Sequence, residues 1–122
     1  MKDWKPIFIE NSKIPIWLSI FAPIEIEAIT LGFLVISKNE MNEVVRNHET
    51  IHFQQYLETG LIGFIFIYLF DWFVTLKNTG DPIEAYYGIR AELEAFEHQD
   101  DLDYLSKRTR YKWLRKERNL NA

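Results

Sequence analysis

A chain of 122 residues with 48% hydrophobic and 26% charged residues is the size of one folded domain, which excludes disordered, collagen-like and coiled-coil chains. It contains no cysteine, so disulfide frameworks, thiolate metal sites, iron–sulfur clusters and thiol catalysis are excluded. The net charge of −4 argues against general nucleic-acid binding, and no nucleic-acid partner is expected.

The N-terminal region lacks the marks of a secretory signal. Lys2 is followed by Asp3, and the first apolar stretch, residues 14–24, carries Pro15 and Pro23. The chain reads as cytoplasmic, with peripheral membrane contact kept as an option for an apolar segment described below. Residues 6–37 read as a small sheet of two to three antiparallel strands. Pro6 to Ile9 is short and β-rich, and Ile14 to Phe21 is interrupted by Pro15, which suits a strand start or an edge. Ile24-Glu25-Ile26-Glu27 alternates as a strand with one wet face does, and Gly32 to Ile36 is apolar.

Ser37-Lys38-Asn39-Glu40 has the form of a capping box and predicts a helix over 39–59. Met41, Val44, Val45, His48, Ile51, His52, Gln55 and Tyr56 recur at 3-4 spacing on one face of it. Gly60 ends or bends the helix. Residues 61–76 form an apolar helix with Asp71 inside. Its uncharged part is short for a membrane span, which predicts buried core, self-association or interfacial membrane contact, with Leu61, Ile62, Ile65 and Leu69 at helical spacing. Asp81 caps a helix that begins at Pro82 and runs to about residue 105, loosened near Gly88. Residues 108–118 predict a basic terminal helix. Over 107–118 there are seven Lys or Arg against one acid, whereas the rest of the chain holds seven against seventeen. Tyr111, Trp113 and Leu114 interleave with these cations, and the favoured reading packs that helix on its own domain.

Chemistry concentrates in His48-Glu49-Thr50-Ile51-His52, an H-E-x-x-H pattern inside the first predicted helix. Residues i and i+4 share a helical face, so two imidazoles can point at one ion, and zinc prefers such ligands. Glu49, about 100° around the helix from His48, is placed to hold a water and take its proton. A third ligand must come from elsewhere, because no further His follows at metzincin spacing. The segment Arg90 to His98 offers Glu92, Glu94, Glu97 and His98. Glu92 shares its helical face with Ala85, Ile89, Ala95, Phe96 and Gln99. An acid on an apolar stripe is costly to bury unless something pairs with it, so Glu92 is the expected ligand. Glu94 falls beside Arg90, Glu97 and His98 and is expected in solvent, as is His98. A ferritin-like di-iron site would need a second E-x-x-H, and the chain has none.

HETIH followed by Gln54 and Gln55, with a later E-x-E-A segment on another helix, resembles the gluzincin metallopeptidases, and the chain length is similar to that of the minigluzincins. The E-L-E-A-F run resembles the E-x-x-A-D segment of the membrane-linked CAAX-type and HtpX-type peptidases, whose first Glu is a metal ligand. That position is Glu92 here, and Phe96 stands where those families place Asp. The order of segments also looks like that of a group of small uncharacterised bacterial and phage proteins. The resemblance implies a zincin-like α+β domain over 1–122, with an antiparallel sheet packed on three to four helices. It implies one zinc ion on His48, His52 and Glu92, with Glu49 as general base and a peptide or protein substrate paired to an edge strand. Tyr86 and Tyr87 are candidate oxyanion stabilisers. The alternative is a non-catalytic, metal-stabilised interaction protein of the same fold.

Overall fold

The computed structural model describes residues 4–13 and 28–115. The strands expected at Ile14 to Phe21 and Ile24 to Glu27, and the end of the basic segment beyond residue 115, lie outside the described residues. The architecture is α+β. Strands β1 (Ile7–Ile9), β2 (Ala28–Leu31) and β3 (Leu34–Ser37) form a sheet in the order β1-β3-β2. β2 and β3 make an antiparallel hairpin through a tight turn at Gly32, whose φ of 60° lies in the left-handed region that glycine occupies without steric cost. β1 pairs with β3 in parallel, Ile7 opposite Leu34. The sheet is therefore mixed rather than antiparallel throughout. Residues 10–33 supply the dozen or more residues that a parallel connection needs.

Helix α1 (Glu43–Thr79) starts later than the expected capping box. Ser37 is the last residue of β3, and its hydroxyl turns to the Asn39 carbonyl. Asn42 is the cap instead, its side chain accepting from the Val45 amide at 2.9 Å. The entry is pinned to the end of β1, because Glu10 accepts from the Met41 amide and pairs with Arg46 at 2.7 Å. Gly60 breaks α1 into two arms with φ 75° and ψ 160°, a conformation open essentially to glycine alone. Tyr56 and Phe64 stack across the break with ring centroids 4.1 Å apart.

The second arm ends at Gly80, which has φ 74° and donates to the Leu76 carbonyl. Asp81 caps α2 (Pro82–Tyr87) by accepting from the Ile83 amide at 2.8 Å. The single helix expected from Pro82 to residue 105 is three pieces: α2, α3 (Arg90–His98) and α4 (Tyr104–Lys107). The chain is extended at Ile89, which leaves α3 without a side-chain cap from its own N-terminus. Asp71 on α1 supplies one. Its carboxylate accepts from the Arg90 amide at 3.3 Å and from the Arg90 guanidinium at 2.8 and 3.0 Å. The opposite end of α3 is held by Asn47, whose amide donates to the carbonyls of His98, Gln99 and Asp101. α1 therefore grips both ends of α3.

The described part of the basic segment contains a short 3₁₀ helix (Lys112–Arg115), not a long α-helix. Trp113 is buried against Phe64, and its indole donates to Glu58 at 2.9 Å. Tyr56, Phe64, Ile89, Ala91 and Trp113 form the core cluster between α1, α3 and this segment. Val35, Ile36, Ile51 and Phe53 are buried where the sheet meets the first arm.

Candidate metal centre

His48, Glu49 and His52 lie on the first arm of α1, and all three are buried. Their potential ligand atoms lie within 4.8 Å of one another, and this group can hold a metal ion. The Nε2 atoms of His48 and His52 reach 3.1 and 3.0 Å from one oxygen, Oε1 of Glu92 on α3. Glu92 comes from 40 residues further along than His52 and is brought there by the double grip of α1 on α3. Tetrahedral ligands about 2.0–2.1 Å from an ion stand roughly 3.3 Å apart, so these separations match those of donors around one small ion.

The hydrogen bonds behind the imidazoles decide what they offer. Gln55 Nε2 donates to the Ala91 carbonyl and to Glu94, which leaves Gln55 Oε1 to accept from His52 Nδ1 at 2.8 Å. His48 Nδ1 meets Gln99 Oε1 at 2.8 Å. With the proton on Nδ1, each neutral ring presents a lone pair at Nε2. Both lone pairs face the Glu92 oxygen, itself an acceptor. Such a convergence calls for a positive charge at its centre, supplied by a proton or a metal ion. Without an ion the proton serves. Burial alone would depress the basicity of His52, but the Glu92 charge and hydrogen bond outweigh it and push the pKa up to about 9. Burial likewise works to raise Glu92, and the neighbouring His52 and His48 reverse this and hold it far below the usual carboxylate range. The donor set therefore fits a resident cation.

Glu49 is the remaining carboxylate, with Oε2 3.7 Å from His48 Nε2. Thr30 on β2 donates to Glu49 Oε1 at 3.1 Å and to its carbonyl at 3.2 Å, fixing the side chain and docking the sheet on α1 together. Burial raises the Glu49 pKa, with Glu92 adding and the histidines opposing.

Two tyrosines approach Glu92. Tyr68, on the second arm of α1, donates to Glu92 Oε2 at 2.7 Å. Tyr86 is the other. Its own hydroxyl is held protonated mainly by burial and then by the nearby Glu92 charge. In a straight helix Tyr86 would face away from Glu92, and the break at Gly88 and Ile89 turns it back. Tyr87 is half exposed and packs on Phe96. Phe96 lies edge-on to the His48 ring with centroids 4.6 Å apart. Where a carboxylate would support a ligand, this chain has an aromatic contact, and Gln99 makes the hydrogen bond to His48 instead.

Glu94 corrects a sequence expectation. It is 2% exposed rather than solvated. Arg108, also buried, donates to Glu94 at 2.9 and 3.0 Å and to Glu58 through two nitrogens. Tyr104 donates to Glu94 at 2.6 Å. A chain of hydrogen bonds thus runs from Arg108 through Glu94 and Gln55 to His52. His98 stacks flat on Tyr104 at 3.9 Å and is outside the group of metal-donor side chains found among the described residues. Sequence reading missed Tyr68. Its signal was the 3-4 spacing of Tyr68, Asp71 and Thr75, which marks the inward face of an otherwise apolar arm.

No family model, curated protein or solved structure matches this chain.

Proposed function

We propose that the protein is a zinc-dependent hydrolase of the gluzincin type that cleaves peptide bonds, with His48, His52 and Glu92 as ligands and Glu49 as general base. The observation that carries this reading is the meeting of two Nε2 lone pairs with one Glu92 oxygen, beside a separately held Glu49 carboxylate. When bound, zinc lowers the pKa of water and polarises a carbonyl. Glu49 accepts the proton of the attacking water and passes it to the departing amine nitrogen, so the carboxylate is regenerated each cycle. Its raised pKa suits a group that must both take and release that proton. Thr30 keeps Glu49 Oε1 aimed, and Tyr68 and Tyr86 hold Glu92. β2 ends the described sheet next to Glu49, which suits pairing of an extended substrate along that strand.

A second reading is favoured by the nearness of Glu49 to the same point: Glu49 closes the site as a fourth ligand, and the metal only stabilises the fold. The variant Glu49→Gln separates the two. Under the first reading it retains one zinc per chain, measured by elemental analysis, and loses hydrolysis of an unstructured protein substrate. Loss of zinc from this variant, in a wild-type protein that cleaves nothing, establishes the closed site instead.

A further inference from the structure

On the first arm of α1, His52, Gln55 and Glu58 follow one another at i, i+3 steps, so neighbours in this row can meet the same partners. Glu94 reaches the row from α3, and Arg108 reaches it from the segment directly after α4. Gln55 Nε2 donates to Glu94 Oε1 at 2.8 Å, and Arg108 donates to both oxygens of Glu94. Two further Arg108 bonds go to Glu58, and the Trp113 indole donates to Glu58 at 2.9 Å. Gln55, Glu94, Arg108 and Glu58 thus form a ring that begins and ends on one helix. All four are buried, so water does not readily replace a lost partner.

The ring meets the candidate metal centre through the Gln55 amide, and two acceptors fix which way round that amide lies. Reversed, its Oε1 would face the Ala91 carbonyl and the Glu94 carboxylate, which offer it no proton. In the observed sense Oε1 meets His52 Nδ1 at 2.8 Å, keeps the ring proton there and leaves Nε2 free for an ion. Of the two acceptors, the Ala91 carbonyl is fixed by its helix. Glu94 is fixed by the Arg108 guanidinium and the Tyr104 hydroxyl.

We propose that Arg108 is a positioning residue for the His52 ligand, acting through Glu94 and Gln55, so that metal binding and docking of the segment around Arg108 and Trp113 strengthen each other. Arg108 bonds to Glu58 and Glu94, neither of them a proposed ligand. The coupling runs both ways. An ion on His52 Nε2 requires the ring proton on Nδ1, which favours the observed Gln55 orientation. That orientation in turn draws on Glu94 held in place by the docked segment. The inference rests on the proposed role of His52 as a ligand, and it holds whether the metal serves hydrolysis or only the fold.

A double-variant cycle on the full-length chain, read as zinc affinity by chelator competition, tests this. Gln55→Met removes the amide at similar volume and is expected to weaken zinc binding about 10- to 100-fold. Arg108→Lys keeps one charge but loses the planar fork, and is expected to weaken it at least about fivefold. The double variant should bind zinc no more weakly than Gln55→Met alone, because the path from Arg108 is already cut. A merely structural loss at Arg108 would lower affinity by the same factor in both backgrounds, and that additive result overturns the proposal. So does wild-type zinc affinity in folded Arg108→Lys. By NMR of the zinc-loaded proteins, the His52 Nδ1 proton should exchange slowly in the wild type and faster in Arg108→Lys, and an unchanged rate also overturns the proposal. If Arg108→Lys does not fold, Trp113→Phe, which deletes the indole bond to Glu58, takes its place and must show the same dependence on Gln55. A wild type that takes up no zinc overturns the metal reading together with this one, whereas zinc uptake with an additive cycle overturns the role of Arg108 alone.

Discussion

Glu92 and Glu94 stand two residues apart on α3, both are buried, and their carboxylates face different partners: Glu92 meets His48 and His52, and Glu94 meets Arg108. Two residues are about 200° of helix, so one short element serves a candidate metal centre on one side and an ion-pair network on the other.

The two positions therefore predict different losses. Glu92→Ala lowers zinc affinity more than about a hundredfold, beyond the 10- to 100-fold typical of a supporting residue. Glu94→Ala keeps one zinc per chain but costs about 3–5 kcal/mol, because Arg108 loses one of its two buried carboxylates. Chelator competition and thermal unfolding of each variant check this, and a Glu94 variant that loses zinc while the Glu92 variant keeps it refutes the ligand assignment.

Gln99→Ala tests the support behind His48. It removes the acceptor at Nδ1 without touching a proposed ligand. Zinc affinity should fall by about 10- to 100-fold while the metal-free protein unfolds within about 1 kcal/mol of wild type. Unchanged affinity would mean that the ring orientation is set by Phe96 packing alone.

Acid should release the Glu94–Arg108 network. Burial acts to raise Glu94, but the Arg108 hydrogen bonds and charge outweigh it and lower the pKa from 4.5. A carboxylate depressed in the folded state contributes stability that is fully present above its unfolded value. That contribution is lost as pH falls below about 4.5 toward the folded pKa. In Arg108→Met the counter-charge is gone and only the Tyr104 and Gln55 hydrogen bonds still oppose burial, so Glu94 should titrate higher than in the wild type. The stability that the wild type loses on acidification should therefore be smaller in the variant. Unfolding free energies of both proteins across the acid range show the shallower slope in the variant if this is correct.

Gly60→Ala probes the break in α1. Nothing lies within 4 Å of the Cβ it would add, so the cost is conformational, not steric crowding. At φ 75° and ψ 160° that cost is about 1–3 kcal/mol. Denaturant unfolding measures it, and a neutral effect would show that the two arms can meet at another angle.

The parts of this fold that the sequence discloses are those governed by local spacing. His48 and His52 share a face because they are four apart. Glu92 is legible because an acid on an apolar stripe needs a partner. The Gly60 bend and the Asp81-Pro82 start are stereochemical signals that few other residues imitate. Glu94 escapes a reading by spacing for a reason of range. Its helical neighbours are polar, but Arg108, which pairs with it, lies 14 positions on, in the segment whose Trp113 packs beside Phe64. One straight helix from Pro82 would set Tyr86 off the face of Glu92, and the extended backbone at Ile89 breaks that helix. The parallel pairing of β1 with β3 leaves no periodic mark at all.

Arg108 and Glu58 are 50 residues apart in sequence. At bacterial or eukaryotic elongation rates, about 3–10 s pass on the ribosome between the two. Throughout that interval the nascent first arm carries a carboxylate whose counter-ion has not been made. Burying it early would cost several kcal/mol, so the arm must stay hydrated until the segment around Arg108 arrives. The histidine pair is thus translated early, and Glu92 and the Arg108 network that close around it are made later.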